Sequence, residues 1–182
     1  MLNLIESRPG VYYIKAGHVI IQNEEIEFLK QALKTNPRGR VRICAHKDDA
    51  DSTHEMIIAV AKKSYLRIHK HINKHESFHI LDGIVDVVQF NQEGAIINIV
   101  RLGTRESGYP FFYRMSNDVY HTLNLHTDNL VMHEVTNGPF CQSQTIYADF
   151  SPQEDANKDE IDKFLYELKA KIALFNMKSN AK

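Results

Sequence analysis

The chain has 182 residues, of which 43% are hydrophobic and 25% charged, and its formal net charge is −1. This length and composition are typical of one globular domain, and they exclude an intrinsically disordered chain and a basic nucleic-acid-binding surface. Two widely separated cysteines predict no disulfide framework, and no apolar run reaches the ~20 residues of a membrane helix, so we predict a cytoplasmic protein without membrane or nucleic-acid partners.

The first 45 residues are predicted to form a strand and helix segment that packs on the main domain. The β-branched and aromatic residues of GVYYIKAGHVIIQ predict a strand, a turn and a second strand. A helix is predicted for NEEIEFLKQALKTNP, capped by Asn23 and stopped by Pro37. Three arginines then alternate, so one face of the next strand would carry three cations: Arg38, Arg40 and Arg42.

Residues 46–155 are predicted to form an antiparallel β-barrel of the jelly-roll type. From Tyr65 to Phe150 about eight short strand-like runs follow one another at near-even spacing, without a helical period between them. Turn signals such as Asp82-Gly83 and Gly94 separate the runs. The fold class is therefore mainly β.

Residues 156–182 are predicted to form a C-terminal amphipathic helix. Its apolar residues lie on one stripe, with acidic residues early and lysines late, as a helix prefers. The stripe consists of Ile161, Phe164, Leu165, Leu168, Ile172 and Phe175. We expect it to pack on the barrel or on a second subunit.

A metal site is predicted for the stretch HKHINKHESFHILDG, His69 to Gly83. His69 and His71 are two apart in a strand, so their side chains leave the same face. Glu76 follows after four residues that can turn the chain back towards them, and Gly83 closes the next turn. His121, which opens a later strand, is the best placed further ligand. Three imidazoles and one carboxylate predict a divalent ion such as Fe, Mn, Ni or Zn.

The other histidines have no such spacing. His75 and His79 have the opposite parity from Glu76, so we predict that they point outward or lie in turns. Surface positions or hydrogen-bonded core positions are expected for the remaining ones considered, which are His46, His54, His126 and His133.

The pattern HxHxxxxExxxxxxG with a later histidine resembles the two motifs of the cupin superfamily. This resemblance implies a small β-barrel with a metal in its mouth, and the matching ligand positions are His69, His71, Glu76 and His121. The second motif departs from the usual form, because Ser116, Asn117 and Asp118 stand where many cupins have Pro-x-Gly. These residues also tolerate tight turns.

Residues 36–155 more closely resemble the WbuC-type cupin metalloproteins. An arginine-rich segment and a histidine precede the barrel, a Glu-x-x-x-Gly-Pro-aromatic stretch follows it, and an acidic tail comes last. The matching positions are Glu134, Gly138, Pro139 and Phe140, then Ala148, Pro152 and Glu154. The resemblance implies an association with O-antigen or other surface-polysaccharide biosynthesis, and it assigns no role to the C-terminal helix.

Three functions are compatible with the sequence. The first is an isomerase that uses the metal as a Lewis acid on a sugar or sugar-nucleotide. The second is an Fe-dependent dioxygenase of a small chelating substrate, and the third is a non-catalytic, metal-dependent metabolite-binding module. The sequence does not decide whether the protein is an enzyme, and no catalytic residue is assigned.

Substrate contacts are predicted for polar residues near the metal site. Arg101, Tyr113 and Asn124 would line the mouth of the barrel, with surface or packing roles as the alternative. Arg38, Arg40 and Arg42 would hold a phosphate or carboxylate, or else form a solvated strand edge. Because small cupin barrels commonly pair through edge strands, we also predict a homodimer.

Overall fold

The computed structural model describes residues 3–116 and 118–180 of the chain, in which twelve strands form two sheets and two long helices lie outside them. The strands are β1 (Leu4–Arg8), β2 (Val11–Ile14), β3 (Arg40–Cys44), β4 (Thr53–Ala61), β5 (His69–His71), β6 (Glu76–Asp82), β7 (Ile84–Phe90), β8 (Ile96–Gly103), β9 (Phe112–Met115), β10 (Tyr120–Leu125), β11 (Asn129–Asn137) and β12 (Thr145–Tyr147). The helices are α1 (Asn23–Thr35) and α2 (Lys158–Asn180), and short 3-10 turns span Arg105–Ser107 and Gln142–Gln144.

Strands β4 to β11 form a jelly roll, which confirms the predicted fold class. One sheet has the order β1-β2-β3-β4-β11-β6-β9, and the other has the order β12-β5-β10-β7-β8. Every pair among β4 to β11 is antiparallel. Successive strands from β4 to β11 alternate between the two sheets, except that β7 and β8 are neighbours in the same sheet. Strands β1 to β3 extend the first sheet, and β12 extends the second.

The N-terminal segment differs in part from its prediction. Strand β2 forms as expected, but residues 19–21 form no strand, and the partner of β2 is the preceding strand β1. Val19 and Ile21 instead lie in an irregular segment and pack against the core under α1. Their side chains are partly buried, but their backbone pairs with no strand. The cap of α1 lies at Gln22, one residue before the predicted Asn23, where Glu25 accepts the backbone N–H of Gln22 at 2.9 Å.

Each helix covers the outer face of one sheet. Leu29 and Leu33 of α1 pack on Val41, Ile43 and neighbouring residues of the seven-stranded sheet. The predicted stripe of α2 packs on the barrel, and its buried members Leu168 and Ile172 contact a cluster that includes Ile68, Val88, Phe90 and Tyr120. None of the helices in the described part of the chain is long and apolar enough to cross a membrane.

Apolar side chains fill one end of the barrel interior. Val85, Val87, Leu102 and Leu125 meet residues of the facing sheet, including Phe78, Ile80, Leu130 and Met132. Leu125 ends β10, whereas His121 lies at its start, so the histidine is near the opposite end of the barrel. The interior is therefore a packed core at one end and a polar cavity at the other.

Gly83 makes the tight connection between β6 and β7, as the sequence predicts. Its φ is +94°, and a Cβ at this position would lie 2.6 Å from the carbonyl oxygen of Asn129. We therefore expect Gly83→Ala to lower the free energy of unfolding by about 2 kcal/mol, measured by urea denaturation. Gly17→Ala is the control, because nothing lies within 4 Å of its Cβ position. Equal losses in the two variants would contradict this role for Gly83.

Candidate metal centre

Three histidines meet where β5 pairs with β10. His69 lies directly opposite His121, and His71 lies opposite Thr145 of β12 on the other side of β5. The ring centroids of His69 and His71 are 4.8 Å apart, and those of His69 and His121 are 4.6 Å apart. One potential ligand atom from each histidine lies within 4.8 Å of the other two.

Glu76 joins this cluster from the facing sheet. The chain turns after His71 through Asn73, which has a φ of 55°, and Glu76 is the first residue of β6. Its Oε1 lies 3.1 Å from Nε2 of His71, and its Oε2 lies 3.2 Å from Nε2 of His121. Only 6% of Glu76 is exposed to solvent. The structure thus brings together all four residues that the sequence predicts as ligands.

Hydrogen bonds on the far side of each ring orient the imidazoles. Nδ1 of His69 lies 2.8 Å from the carbonyl oxygen of Arg67, and Nδ1 of His121 lies 3.1 Å from that of Val119. Because a carbonyl oxygen only accepts, both Nδ1 atoms carry a proton, which leaves Nε2 as the ring atom that could bind an ion. Nδ1 of His71 has the Thr145 hydroxyl as its partner at 3.1 Å.

The charge states of the cluster suit a cation. Burial, with a further contribution from His121, lowers the pKa of His69 to about 4, so this imidazole is neutral at pH 7. Burial raises the pKa of Glu76, but His121 and His71 lower it more, and the resulting pKa is below the ordinary value. A neutral imidazole and a carboxylate are the protonation states that bind a metal.

The donor set fits a divalent transition-metal ion. Two ligand atoms that are each about 2.1 Å from one ion, at right angles, lie about 3.0 Å apart. The distances of 3.1 and 3.2 Å from Glu76 to the two imidazoles are close to that value. Oε2 of Glu76 is also buried without a hydrogen-bond partner among the described residues, and coordination would satisfy it.

The candidate ligands open into a cavity of about 560 Å³ between the two sheets. Glu134 of β11 is the register partner of Phe78 in β6 and of Met56 in β4, and both of these residues line the cavity. Burial, with a further contribution from the charge of Glu76, raises the pKa of Glu134 to about 8, so this carboxyl is mostly protonated at pH 7. The sequence assigns Glu134 no role in the site. Its spacing of two and four residues from Met132 and Leu130 nevertheless places an acidic residue on the apolar face of this strand.

The cavity wall is rich in charge. Its cationic side chains are Arg8, Arg38, Arg40, Arg42, Arg67 and Lys74, and its acidic ones are Asp49, Glu76, Glu134 and Glu154. Arg38 and Arg40, predicted as substrate contacts, line this cavity and both bind Glu154, with 2.6 Å between Nη2 of Arg40 and Oε1 of Glu154. Arg40 alternates with Val41 in β3 and faces the cavity, whereas Arg38 lies in the turn before this strand and not on the predicted strand face.

The other predicted substrate contacts lie elsewhere. Arg101 and Asn124 flank Asp86 in adjacent strands, and both contact its carboxylate on the outer face of the five-stranded sheet. Tyr113 stacks on Phe78, and its hydroxyl accepts a hydrogen bond from Gln89 at 3.0 Å. The structure places none of these three predicted residues among those that line the cavity.

The remaining histidines have varied environments. His75 and His79 are exposed, which confirms their prediction, and His126 contacts Asp86 at 2.7 Å on the surface. His46 and His54 are buried and stack with 4.1 Å between ring centroids. Both of these line the cavity, which the sequence does not indicate. Asn117, part of the departure from the second cupin motif, lies outside the described residues.

Comparisons with known proteins give a family of undefined role and distant structural likenesses. Residues 21–102, less than half of the chain, match a family described as a domain of unknown function (DUF6016). No curated protein matches the chain. Protein SO0799 from Shewanella oneidensis has 10% identity and a TM-score of 0.46, over 57% of this chain and 66% of its own.

Two further solved structures are similar at the same level. TT1209 from Thermus thermophilus has 14% identity and a TM-score of 0.43, over 56% of this chain and 86% of its own. Oxalate decarboxylase from Bacillus subtilis has 13% identity and a TM-score of 0.42, over 54% of this chain and 24% of its own. The chain thus spans less than two thirds of SO0799 and about a quarter of the decarboxylase, and these likenesses assign it no activity.

Proposed function

We propose that this protein is a metal-dependent cupin that binds a small, oxygen-rich metabolite in the barrel cavity. The observation that carries the proposal is the meeting of His69, His71, His121 and Glu76 at the wall of that cavity. The donor set favours Fe, Mn, Ni or Zn. The volume of about 560 Å³ is within the range of small-molecule sites.

Isomerisation of a sugar-derived substrate is the reaction we propose. A bound divalent ion would supply Lewis-acid polarisation of the substrate oxygens. Glu134, whose carboxyl group lines the cavity, would donate a proton to the substrate and recover it. The assignment to sugars or sugar-nucleotides, and to surface-polysaccharide biosynthesis, is supported by the WbuC-type resemblance alone.

Metal analysis of the purified chain tests the proposal. We expect about one equivalent of transition metal in protein purified without added metal, or after incubation with Fe, Mn, Ni or Zn followed by desalting. Replacement of both His69 and His71 by Ala should abolish this metal, because it removes two of the four proposed ligands. Elemental analysis by mass spectrometry measures the result.

A matched double variant serves as the control. His75→Ala with His79→Ala removes two exposed histidines from the same stretch and should leave the metal content unchanged. A wild-type protein that retains no metal under any of these conditions would contradict the proposal. With Fe(II) bound, uptake of oxygen in the presence of a chelating substrate would identify a dioxygenase in place of the isomerase.

A further inference from the structure

Five buried side-chain atoms in the described part of the chain have no hydrogen-bond partner, and all belong to residues that line the same cavity. They are Arg42 Nε, His54 Nε2, Arg67 Nε, Glu76 Oε2 and Thr136 Oγ1. Because an unsatisfied buried polar atom costs about 1–3 kcal/mol, buried polar groups in native proteins are usually bonded. Coordination of a metal would satisfy Glu76, but it leaves the two arginine donors unexplained.

Arg42 points into the cavity from a strand outside the jelly roll. In β3 it pairs with Ile58 and Arg40 pairs with Val60, and both partners line the cavity. The intervening Val41 faces the opposite side and packs under α1. No carboxylate of the described residues lies within 4.0 Å of the Arg42 guanidinium, and its buried Nε has no hydrogen-bond partner among them.

Arg67 reaches the same cavity from the segment that leads into β5. Its guanidinium carbon lies 4.8 Å from the ring centroid of Tyr147, and Nη2 has one long hydrogen bond, 3.4 Å, to the carbonyl oxygen of Ala148. These contacts fix the plane of the guanidinium but provide no counter-charge. Arg67 also has no carboxylate partner within 4.0 Å anywhere in residues 3–116 and 118–180.

Two neighbouring arginines, Arg38 and Arg40, do have a carboxylate partner. Glu154 binds both Arg38 and Arg40, so these two cations already share a carboxylate of the chain. Arg42 and Arg67 have the same planar fork of N–H donors but no carboxylate partner among the described residues. A guanidinium fork matches the paired oxygens of a carboxylate or a phosphate, and a cavity wall with more cationic than acidic side chains attracts anions.

We propose that Arg42 and Arg67 bind an anionic oxygen group, a carboxylate or a phosphate, of the molecule that occupies the cavity. The inference deepens the proposed function, since it names the class of substrate for the same cavity, but neither arginine is a proposed metal ligand. A sugar phosphate and a small organic acid share the required chemistry. The anion that the site prefers, phosphate or carboxylate, would distinguish these two classes of ligand.

Arginine side-chain NMR of the full-length wild-type protein provides a direct test. Inorganic phosphate and malonate are titrated separately, and the ¹H–¹⁵N signals of the arginine Nε–H groups are followed, with assignments from Arg42→Lys and Arg67→Lys. We expect the Nε–H signals of Arg42 and Arg67 to shift with saturation, while that of the exposed Arg105 does not move. Tighter binding of phosphate supports a phosphorylated substrate, and tighter binding of malonate supports an organic acid.

Binding to variants gives the second measurement. Arg42→Gln and Arg67→Gln should each weaken the binding of the preferred anion by about 10-fold or more, because each removes charged hydrogen bonds. Arg105→Gln is the matched control and should bind as wild type does. Circular dichroism establishes that each variant is folded. If either cavity variant does not fold, the wild-type NMR shifts decide the outcome.

The same titrations on protein with and without metal separate the two proposals. Anion binding that depends on Arg42 in both forms supports the arginine site, whatever the metal content proves to be. If the protein retains its metal but Arg42→Gln and Arg67→Gln bind the anion as tightly as Arg105→Gln does, the arginine site is wrong and the metal proposal stands. Absence of anion binding at millimolar concentrations in both forms would also overturn the arginine site.

Discussion

Glu76→Gln is expected to weaken metal binding by about 100-fold or more, because it removes the anionic ligand of the proposed set. The substitution preserves the shape of the side chain, so the three imidazoles that Arg67, Val119 and Thr145 orient should stay in place. A residual site of three histidines would still bind the ion weakly. Competition against a chromophoric chelator measures the dissociation constants of the wild type and the variant.

The loss of affinity should also be visible as a loss of metal-linked stability. At a free metal concentration of 100 times its dissociation constant, the wild type gains about 2.7 kcal/mol, which corresponds to roughly 5–11 °C in melting temperature. A variant with 100-fold weaker binding gains only about 0.4 kcal/mol at the same concentration. We therefore expect a chelator to lower the melting temperature of the wild type by several degrees and that of Glu76→Gln by less than about 2 °C.

Glu55→Gln provides a matched control for this prediction. Glu55 is an exposed glutamate whose carboxylate lies 3.9 Å from Nε2 of His133. It is thus a glutamate beside a histidine, as Glu76 is, but it is not buried. Its replacement should leave both the dissociation constant and the effect of the chelator unchanged. If Glu76→Gln and Glu55→Gln behave alike while metal is bound, the ion is held by the histidines alone and Glu76 is not a ligand.

The positions of the four candidate ligands follow from local sequence patterns. The two-residue spacing of His69 and His71 places them on one face of any strand, and the short turn before Glu76 returns the chain to the same end of the barrel. His121 is more distant, yet its place at the start of a strand after a turn puts it at the corresponding end of β10. Strand parity and turn signals therefore suffice to predict this cluster.

The rest of the cavity depends on contacts between distant segments. Arg42 reaches the interior only because β3 adds to the barrel sheet beside β4, and Arg67 does so through the irregular chain before β5. The alternation of arginines predicts a cationic strand face that includes Arg42, but it does not indicate that this face lines the cavity. Arg67 has no signal in the local sequence. The position of Asn124, by contrast, can be predicted from the local sequence. Asn124 lies three residues after His121 and therefore on the opposite face of β10.

Apolar patterns alone also misassign part of the N-terminus. Val19 and Ile21 have the composition of a strand, but they are buried against the core under α1 without strand pairing. Leu4 to Arg8, with four exposed residues out of five, carries little apolar pattern and nevertheless pairs with β2 at the edge of the sheet. Burial and backbone pairing are separate properties, and the sequence pattern reports mainly burial.

Asp86→Ala is expected to destabilise the protein by about 2–3 kcal/mol at pH 7, without changing its metal content. Asp86 is fully buried, and its carboxylate accepts hydrogen bonds from Nε and Nη2 of Arg101 at 2.8 and 3.2 Å and contacts His126 at 2.7 Å. Removing one partner of a buried ion pair costs about 3–5 kcal/mol. The expected loss is smaller here, because the side chains of Arg101 and His126 are 37% and 36% exposed and can be rehydrated.

The pH dependence of this loss has a definite sign. Burial raises the pKa of Asp86, but Arg101 and His126 lower it more, so the carboxyl titrates below its ordinary value in the folded protein. The carboxylate therefore contributes stability above about pH 4, and this contribution is lost as the pH falls through the lowered pKa of the folded state. Urea denaturation at pH 7 and near pH 3 should show a larger difference between wild type and Asp86→Ala at the higher pH.

The outcome also decides between two roles for Arg101 and Asn124. Asp162→Ala, which breaks the exposed ion pair between Lys158 and Asp162 in α2, is the control and should cost less than about 0.5 kcal/mol. If Asp86→Ala and Arg101→Gln lower stability but bind metal and anions as wild type does, the cluster around Asp86 stabilises the outer face of the sheet. If Arg101→Gln or Asn124→Ala instead weakens ligand binding at unchanged stability, the predicted substrate contacts are correct and a second binding surface lies outside the barrel cavity.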